Sequence, residues 1–445
     1  MTLRSSFFLL FSFAIVLSGI DSNAMTANKK ISLNKPVYGS QQYGMSCIVD
    51  GKFGNSTWIV SSGSWAAINV GSRYSKVYVS FNCTNYMWAD TLAYTSCPQN
   101  IGVPRNYLIL TSAYSTNGSD GDWKAADTIK DNIVAARGHI IDFTGANWVK
   151  MAVDSGTGYI DEIEIYDASN GFEDSWFFAG TSITANAFKG PVKPETFSDI
   201  VNSKYSSFTP AIIRGGIGCI LSTAFANSIS GYIACEGNMA YWAIEMGTND
   251  AWGGDTSNLS VFKTNLQKVI DSCKAHGIKP IIARIIATDS AVVKWQVNPR
   301  YLDVIDTLTS KNNLIPGPDF YTWFKNHTDA YNSDGVHPDS IGGLAIQELW
   351  TEKMDSLYKG KNSSVKAKNN CVDEGFFKTE VSKDGIMISV LHSGTACVFS
   401  TDGRLIKNLT MESGSSLKLR VPSGIYFVKF KTVHGTIIKS MAAGQ

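Results

Sequence analysis

The stretch DSWFFAGTSITANAF, Asp174 to Phe188, runs two aromatics into a glycine, two hydroxyl residues and a segment of helical character. A serine on such a strand-to-helix turn has its hydroxyl held clear of the sheet, and its own N–H lies among the unpaired amides of a helix start. Ser182 is therefore a candidate nucleophile with a backbone donor for developing negative charge beside it. Ser and Thr are also common helix caps, so in isolation Thr181 or Ser182 reads more simply as an N-cap.

Two further stretches bear on that choice. EMGTND, Glu245 to Asp250, directly follows an apolar run read as a buried strand, which puts Asn249 at a strand's carboxyl end. Sites in open α/β sheets lie there, and a side-chain amide is a neutral donor for an oxyanion. In SDGVHPDSIGG, Ser333 to Gly343, Asp334 and His337 are three apart in a turn leading into a helix. One loop thus sets a carboxylate against an imidazole, orienting it as a base for a hydroxyl. Of the six histidines, His327 is the one rival, in the loop approaching the same place.

The elements that must position these groups divide into three regions. From about Lys29 to Asn170, KVYVSFN and YIDEIEIYD alternate with period two between turn-rich clusters, which predicts an antiparallel β-sandwich over residues 29–170. From Phe172 to Gly360, Phe262, Leu266, Val269, Ile270 and Cys273 fall on one helical face, and IKPIIARII and MAYWAIEMG are nearly continuous apolar runs. That alternation predicts a layered α/β domain over 172–360 with a parallel sheet. A polar linker, 361–374, precedes short alternating strands over 375–445.

In this order, AGTSIT, RGGIGC, GTND and DGVH resemble the blocks of the SGNH (GDSL) hydrolase family. The resemblance implies a three-layer α/β sandwich with a flavodoxin-like parallel sheet. It also implies ester hydrolysis through an acyl-serine, with no cofactor and no metal. Ser182 would be the nucleophile, His337 the general base and acid, and Asp334 its orienting carboxylate. The oxyanion hole would combine the Ser182 N–H, the Asn249 side chain and an amide at Gly218, with Gly216 and Cys219 as alternatives. Two departures stand out: Thr181 replaces the family's Asp, and Arg214 lies near the place of the usual Asn in the second block.

Residues 29–170 resemble galactose-binding-like jelly-roll modules of the discoidin or coagulation-factor type C kind, through VDGKFGNSTW, WAAINVG and WVKMAV…YIDEIEIYD. The ending VPSGIYFVKFKTVHGTIIKSM resembles the C-terminal sorting domain of type IX secretion cargo in Bacteroidetes-like bacteria, which implies the secretion machinery as a partner.

Residues 1–24 carry Arg4, an apolar run and a Ser22-Asn23-Ala24 cleavage site, as in a secretory signal peptide. No later stretch is long and apolar enough to span a membrane. The net charge of +1 gives no reason to expect capture of nucleic acid. Export permits disulfides; among eight cysteines, Cys83 with Cys97 and Cys219 with Cys235 are candidate local bridges, a pairing that spacing leaves open, and Cys273 reads as a buried thiol. The expected substrate is acetylated plant polysaccharide, xylan above all, with Trp58, Trp88 and Trp123 as aromatic faces for sugars. A lipase-like esterase and a sugar-binding protein with an inert hydrolase domain are the competing readings.

Overall fold

The computed structural model describes residues 28–41, 45–53, 57–71, 74–83, 102–188, 196–359, 377–382, 385–400, 405–422, 424–432 and 435–443. The leader 1–24, the linker 361–374, Trp88, Cys97 and Cys371 lie outside them. The chain divides into two units between residues 364 and 365.

Among the described residues ten strands open the first unit: β1 (Lys29–Lys30), β2 (Val37–Gly39), β3 (Trp58–Val60), β4 (Trp65–Asn69), β5 (Lys76–Cys83), β6 (Pro104–Ser112), β7 (Lys124–Ile129), β8 (Ala136–Asp142), β9 (Trp148–Gly156) and β10 (Gly158–Asp167). They form two antiparallel sheets. One runs β1-β10-β5-β8 with β3 beside β10; the other runs β2-β4-β9-β6-β7. Val77, Val79, Phe81, Ile163 and Ile165 of the first face Ile68, Ile109, Val149 and Met151 of the second across one core. Each such buried side chain contributes roughly 1.5–3 kcal/mol.

Period-two alternation ordinarily marks a strand with one hydrated face, but β5 and β10 depart from that. Both faces are buried, because the outer face of this sheet lies against the α/β layers. Tyr78 stacks on Phe172 with ring centroids 4.2 Å apart, and its hydroxyl donates to the Met239 sulfur at 3.3 Å. The acids of YIDEIEIYD are enclosed with it. Asp161 pairs with Arg214 at 3.4 Å and Glu164 with Lys30. Desolvation, reinforced by the neighbouring Glu164, pushes the Glu162 carboxyl up to about 10.

The α/β part has four parallel strands in the order β12-β11-β13-β14: β11 (Ser175–Gly180), β12 (Ala211–Gly216), β13 (Tyr241–Glu245) and β14 (Lys279–Ile282). β11, β12 and β13 are buried along their whole length, with Arg214 of β12 and Glu245 of β13 enclosed among mostly apolar residues. Among the described residues nine α-helices accompany them: α1 (Ser182–Ala187), α2 (Phe197–Lys204), α3 (Ser222–Asn227), α4 (Ile229–Glu236), α5 (Leu259–Ala275), α6 (Ser290–Val293), α7 (Pro299–Lys311), α8 (Phe320–Lys325) and α9 (Ser340–Lys359). Phe177, Trp242 and Ile244 pack toward α3, α4, α5 and α7. Trp176, Phe178 and Ala243 pack toward α1, α2, α8 and α9 on the opposite face. Three layers result, and every parallel strand ends at the same rim. Among the described residues no helix is long and apolar enough to cross a membrane.

The second unit holds β15 (Phe377–Ser382), β16 (Gly385–Val390), β17 (Gly394–Ser400), β18 (Leu405–Met411), β19 (Ser416–Leu419), β20 (Gly424–Thr432) and β21 (Gly435–Ala443). Its sheets, β15-β16-β19 and β18-β17-β20-β21, enclose Ile386, Ile388, Val390, Val398, Val428 and Phe430.

Candidate active site

β11 delivers its last residue, Gly180, to the rim, and the chain turns at once into α1. The turn is tight enough to exclude side chains. A Cβ on Gly180 would stand 2.0 Å from the Thr184 hydroxyl, and one on Gly216 of β12 would stand 2.3 Å from the Ala185 nitrogen. Thr181 takes the N-cap position in extended backbone, and its hydroxyl accepts from the Ile183 N–H at 3.1 Å. Capping therefore falls to Thr181 and leaves the Ser182 hydroxyl for another partner. That partner is His337: Oγ and Nε2 are 2.8 Å apart.

His337 comes from a turn that its own carboxylate shapes. Asp334 Oδ1 accepts the backbone N–H groups of Val336 and His337, each at 2.9 Å, while Oδ2 lies 2.7 Å from His337 Nδ1. A carboxylate at Nδ1 holds the proton there, so Nε2 meets Ser182 as an acceptor. Partial burial acts to raise the Asp334 carboxyl, but those amide and imidazole hydrogen bonds outweigh it and hold the group below the usual carboxylate range. The His337 side chain is 30% exposed and that of Asp334 50%, so the chain of groups opens to solvent.

Asn249 follows β13, and its amide nitrogen donates to the Ile220 carbonyl at 2.8 Å, fastening it to the loop after β12. In that loop the Ile217 N–H is committed to the Gly180 carbonyl at 2.9 Å, and Cys219 turns in the left-handed region at φ 58°. Gly218 lies between them. Arg214 does not stand in for the usual Asn: it is buried, donates to the Cys83 carbonyl at 3.1 Å, and lies over the Phe53 ring at 4.0 Å.

Sequence reasoning missed Glu245. This buried carboxylate at the end of β13 accepts the Thr181 N–H at 3.1 Å and the hydroxyls of Thr181 at 2.8 Å and Thr184 at 3.2 Å. Desolvation raises its carboxyl, opposed by those threonine hydrogen bonds. The departure at Thr181 thus has a partner in the fold, and the nucleophile turn is anchored to β13. A lone acid closing the apolar run YWAIE was the available signal. Asp250, beside Asn249, serves the fold: it accepts from the Ser222 N–H at 3.0 Å at the start of α3.

Other expectations are corrected. His327 stacks on Trp323 at 4.0 Å, and its Nδ1 meets the Trp323 carbonyl at 2.7 Å, so it does not compete for Ser182. Cys83 and Cys235 carry free thiols, and Cys219 is in a disulfide, so neither Cys83–Cys97 nor Cys219–Cys235 forms. Burial pushes the Cys83 thiol up to about 12 and that of Cys235 up to about 11. Cys273 is, as expected, a buried free thiol. Trp58 is buried in the sandwich core and offers no face to a sugar. Trp123 is half-buried, with the Lys150 ammonium 3.7 Å from its ring centre.

No family model matches the chain, and no curated protein does. Among solved structures, a lipase/acylhydrolase from Enterococcus faecalis is similar at 20% identity over 41% of this chain and 95% of its own, with a TM-score of 0.35. A mutant of an acetyl-xylooligosaccharide esterase from Geobacillus is similar at 14% identity over 40% and 93%, with a TM-score of 0.34. A chitosan-binding module from a Paenibacillus chitosanase/glucanase is similar at 24% identity over 31% and 98%, with a TM-score of 0.22. Likeness at this level decides neither fold nor chemistry, and the functional reading rests on the side chains themselves.

Proposed function

We propose that the chain is a secreted serine esterase that removes acetyl groups from plant cell-wall polysaccharide, with xylan as the favoured backbone. The observation that carries the chemistry is the unbroken run of hydrogen bonds from Asp334 through His337 to Ser182, at 2.7 and 2.8 Å. In this reading the Ser182 hydroxyl attacks the ester carbonyl as His337 Nε2 takes its proton, and Asp334 stabilises the imidazolium. The oxyanion is received by the Ser182 N–H, the Asn249 amide and a backbone N–H near Gly218. His337 returns the proton to the departing alcohol, leaving acetyl on Ser182. Water, activated by the same imidazole, then releases acetate.

The polysaccharide assignment draws on the β-sandwich joined to the α/β layers, which would hold the enzyme on a polymer and raise its local concentration there. Export would proceed through cleavage after Ala24, and the C-terminal unit would engage the secretion machinery; N-terminal sequencing of the mature protein tests the first step. Acetate release from acetylated xylan, pectin and chitin, measured side by side, tests the substrate. Release is expected to be fastest from xylan. Equal low release from all three, together with good turnover of long-chain esters, would replace the reading with a lipase-like one.

A further inference from the structure

Two tryptophans stand on the rim beside the candidate site. Asn249 follows β13, and Trp252 lies three residues beyond it; Trp295 lies in the segment after the adjacent strand β14. Their ring centroids are 5.1 Å apart, with planes tilted by 52°. Trp88 lies outside the described residues; among the other tryptophans Trp252 alone is exposed, at 54%. A solvent-facing indole packed on a second one presents a large, rigid amphipathic face beside the candidate site, of the kind enriched at binding surfaces.

The pair is held in place by the elements that carry the reacting groups. The Thr288 hydroxyl donates to the Trp295 carbonyl at 2.7 Å, and the Thr288 N–H donates to the Gln296 side chain at 2.7 Å. The Asp289 N–H then donates to the Gly335 carbonyl at 2.8 Å, inside the turn that bears Asp334 and His337. A Cβ on Gly254 would come within 2.9 Å of the Gln296 carbonyl, so the Trp252–Gly254 turn sits directly on the Trp295 segment. Trp252 and Trp295 are therefore braced between Asn249 on one side and the His337 turn on the other.

Direction follows from the proton. The leaving alcohol must receive it from His337, so the alcohol portion of an ester lies on the side of the His337 turn. We propose that Trp252 and Trp295 form the subsite for the sugar ring that bears the ester, taking the apolar C–H face of a pyranose against the indoles. This rests on the reading of the chain as a carbohydrate esterase and adds where the carbohydrate is held.

The test assays the full chain, Trp252→Ala and Trp252→Phe by pH-stat on acetylated xylo-oligosaccharide, methyl acetate and methyl butyrate. The ratio of kcat/KM on the sugar ester to that on methyl acetate is expected to fall about tenfold in Trp252→Ala, chiefly through KM, and to recover in large part in Trp252→Phe. A proportional loss on all three esters, no change on any, or a loss that follows the butyrate chain would overturn the subsite. If the full chain hydrolyses methyl acetate through Ser182 but leaves the sugar ester intact, the sugar reading and the subsite fall while the ester chemistry stands. If it hydrolyses no ester, the esterase reading falls as well.

Discussion

At the rim of the parallel sheet, Asp334, His337 and Ser182 are linked at 2.7 and 2.8 Å; inside the N-terminal sandwich, Asp127, His139 and Tyr107 are linked in the same chemical order at 2.8 and 3.0 Å. Carboxylate to imidazole to hydroxyl is common to both, and their surroundings are not. The His337 side chain is 30% exposed, against 3% for His139, and the Tyr107 hydroxyl belongs to the sandwich core. Burial pushes the Tyr107 phenol well above its ordinary range and His139 below its own, the latter against the pull of Asp127. The inner chain ties β6, β7 and β8 together, with its imidazole and phenol enclosed in the sandwich. A hydrogen-bonded triad becomes a catalyst only where an electrophile can reach the hydroxyl.

The largest expected effect separates the two chains outright. Ser182→Ala should lower kcat for acetate release by at least about 10⁴-fold. Tyr107→Phe should leave turnover intact, and the reverse result in initial-rate assays would exchange the roles of the two chains. Next comes Asp334→Asn, which permits the wrong tautomer of His337. A loss of about 10³- to 10⁴-fold in kcat with little change in KM is expected, and steady-state kinetics on methyl acetate would read it.

Smaller effects fall on stability. Tyr107→Phe removes the hydroxyl that donates to His139 and should cost about 1 kcal/mol in urea denaturation; no cost would mean the inner chain is ornamental. The smallest effect is in pH dependence. The folded pKa of His139 lies below its unfolded value, so the unfolded state binds the proton more readily. This group's contribution is present above about pH 6.5 and is lost as pH falls from there toward the folded pKa. Asp127, depressed first by its bond to His139, acts in the same direction at lower pH. His139→Gln should therefore show a shallower loss of stability between pH 7 and 5 than the parent, read from urea midpoints. Equal slopes would remove His139 from the account.

Much of the site was legible from local pattern. Ser182, Asn249, Asp334 and His337 stand at strand ends and in one turn, where local pattern marks them as candidates, whereas the Ser182–His337 contact spans 155 residues and is made by the fold. The Asp334–His337 contact spans three residues and is made by its own loop. Glu245 was illegible as a partner of Thr181 because the two are 64 positions apart and meet only when β11 and β13 lie side by side. The same holds for Arg214 and Asp161.

By itself the sequence determined the periodicities: alternation over the sandwich strands, nearly continuous apolar runs for β13 and β14, and which residue types stand at their ends. Those are local steric and solvation preferences that each segment carries wherever it is placed. Only tertiary structure decided that the polar positions of β10 would be enclosed rather than hydrated, since a second layer covers that face. It decided likewise which of two similar triads leaves its imidazole open to solvent. Burial is a property of what packs against a segment, and no segment encodes its neighbour.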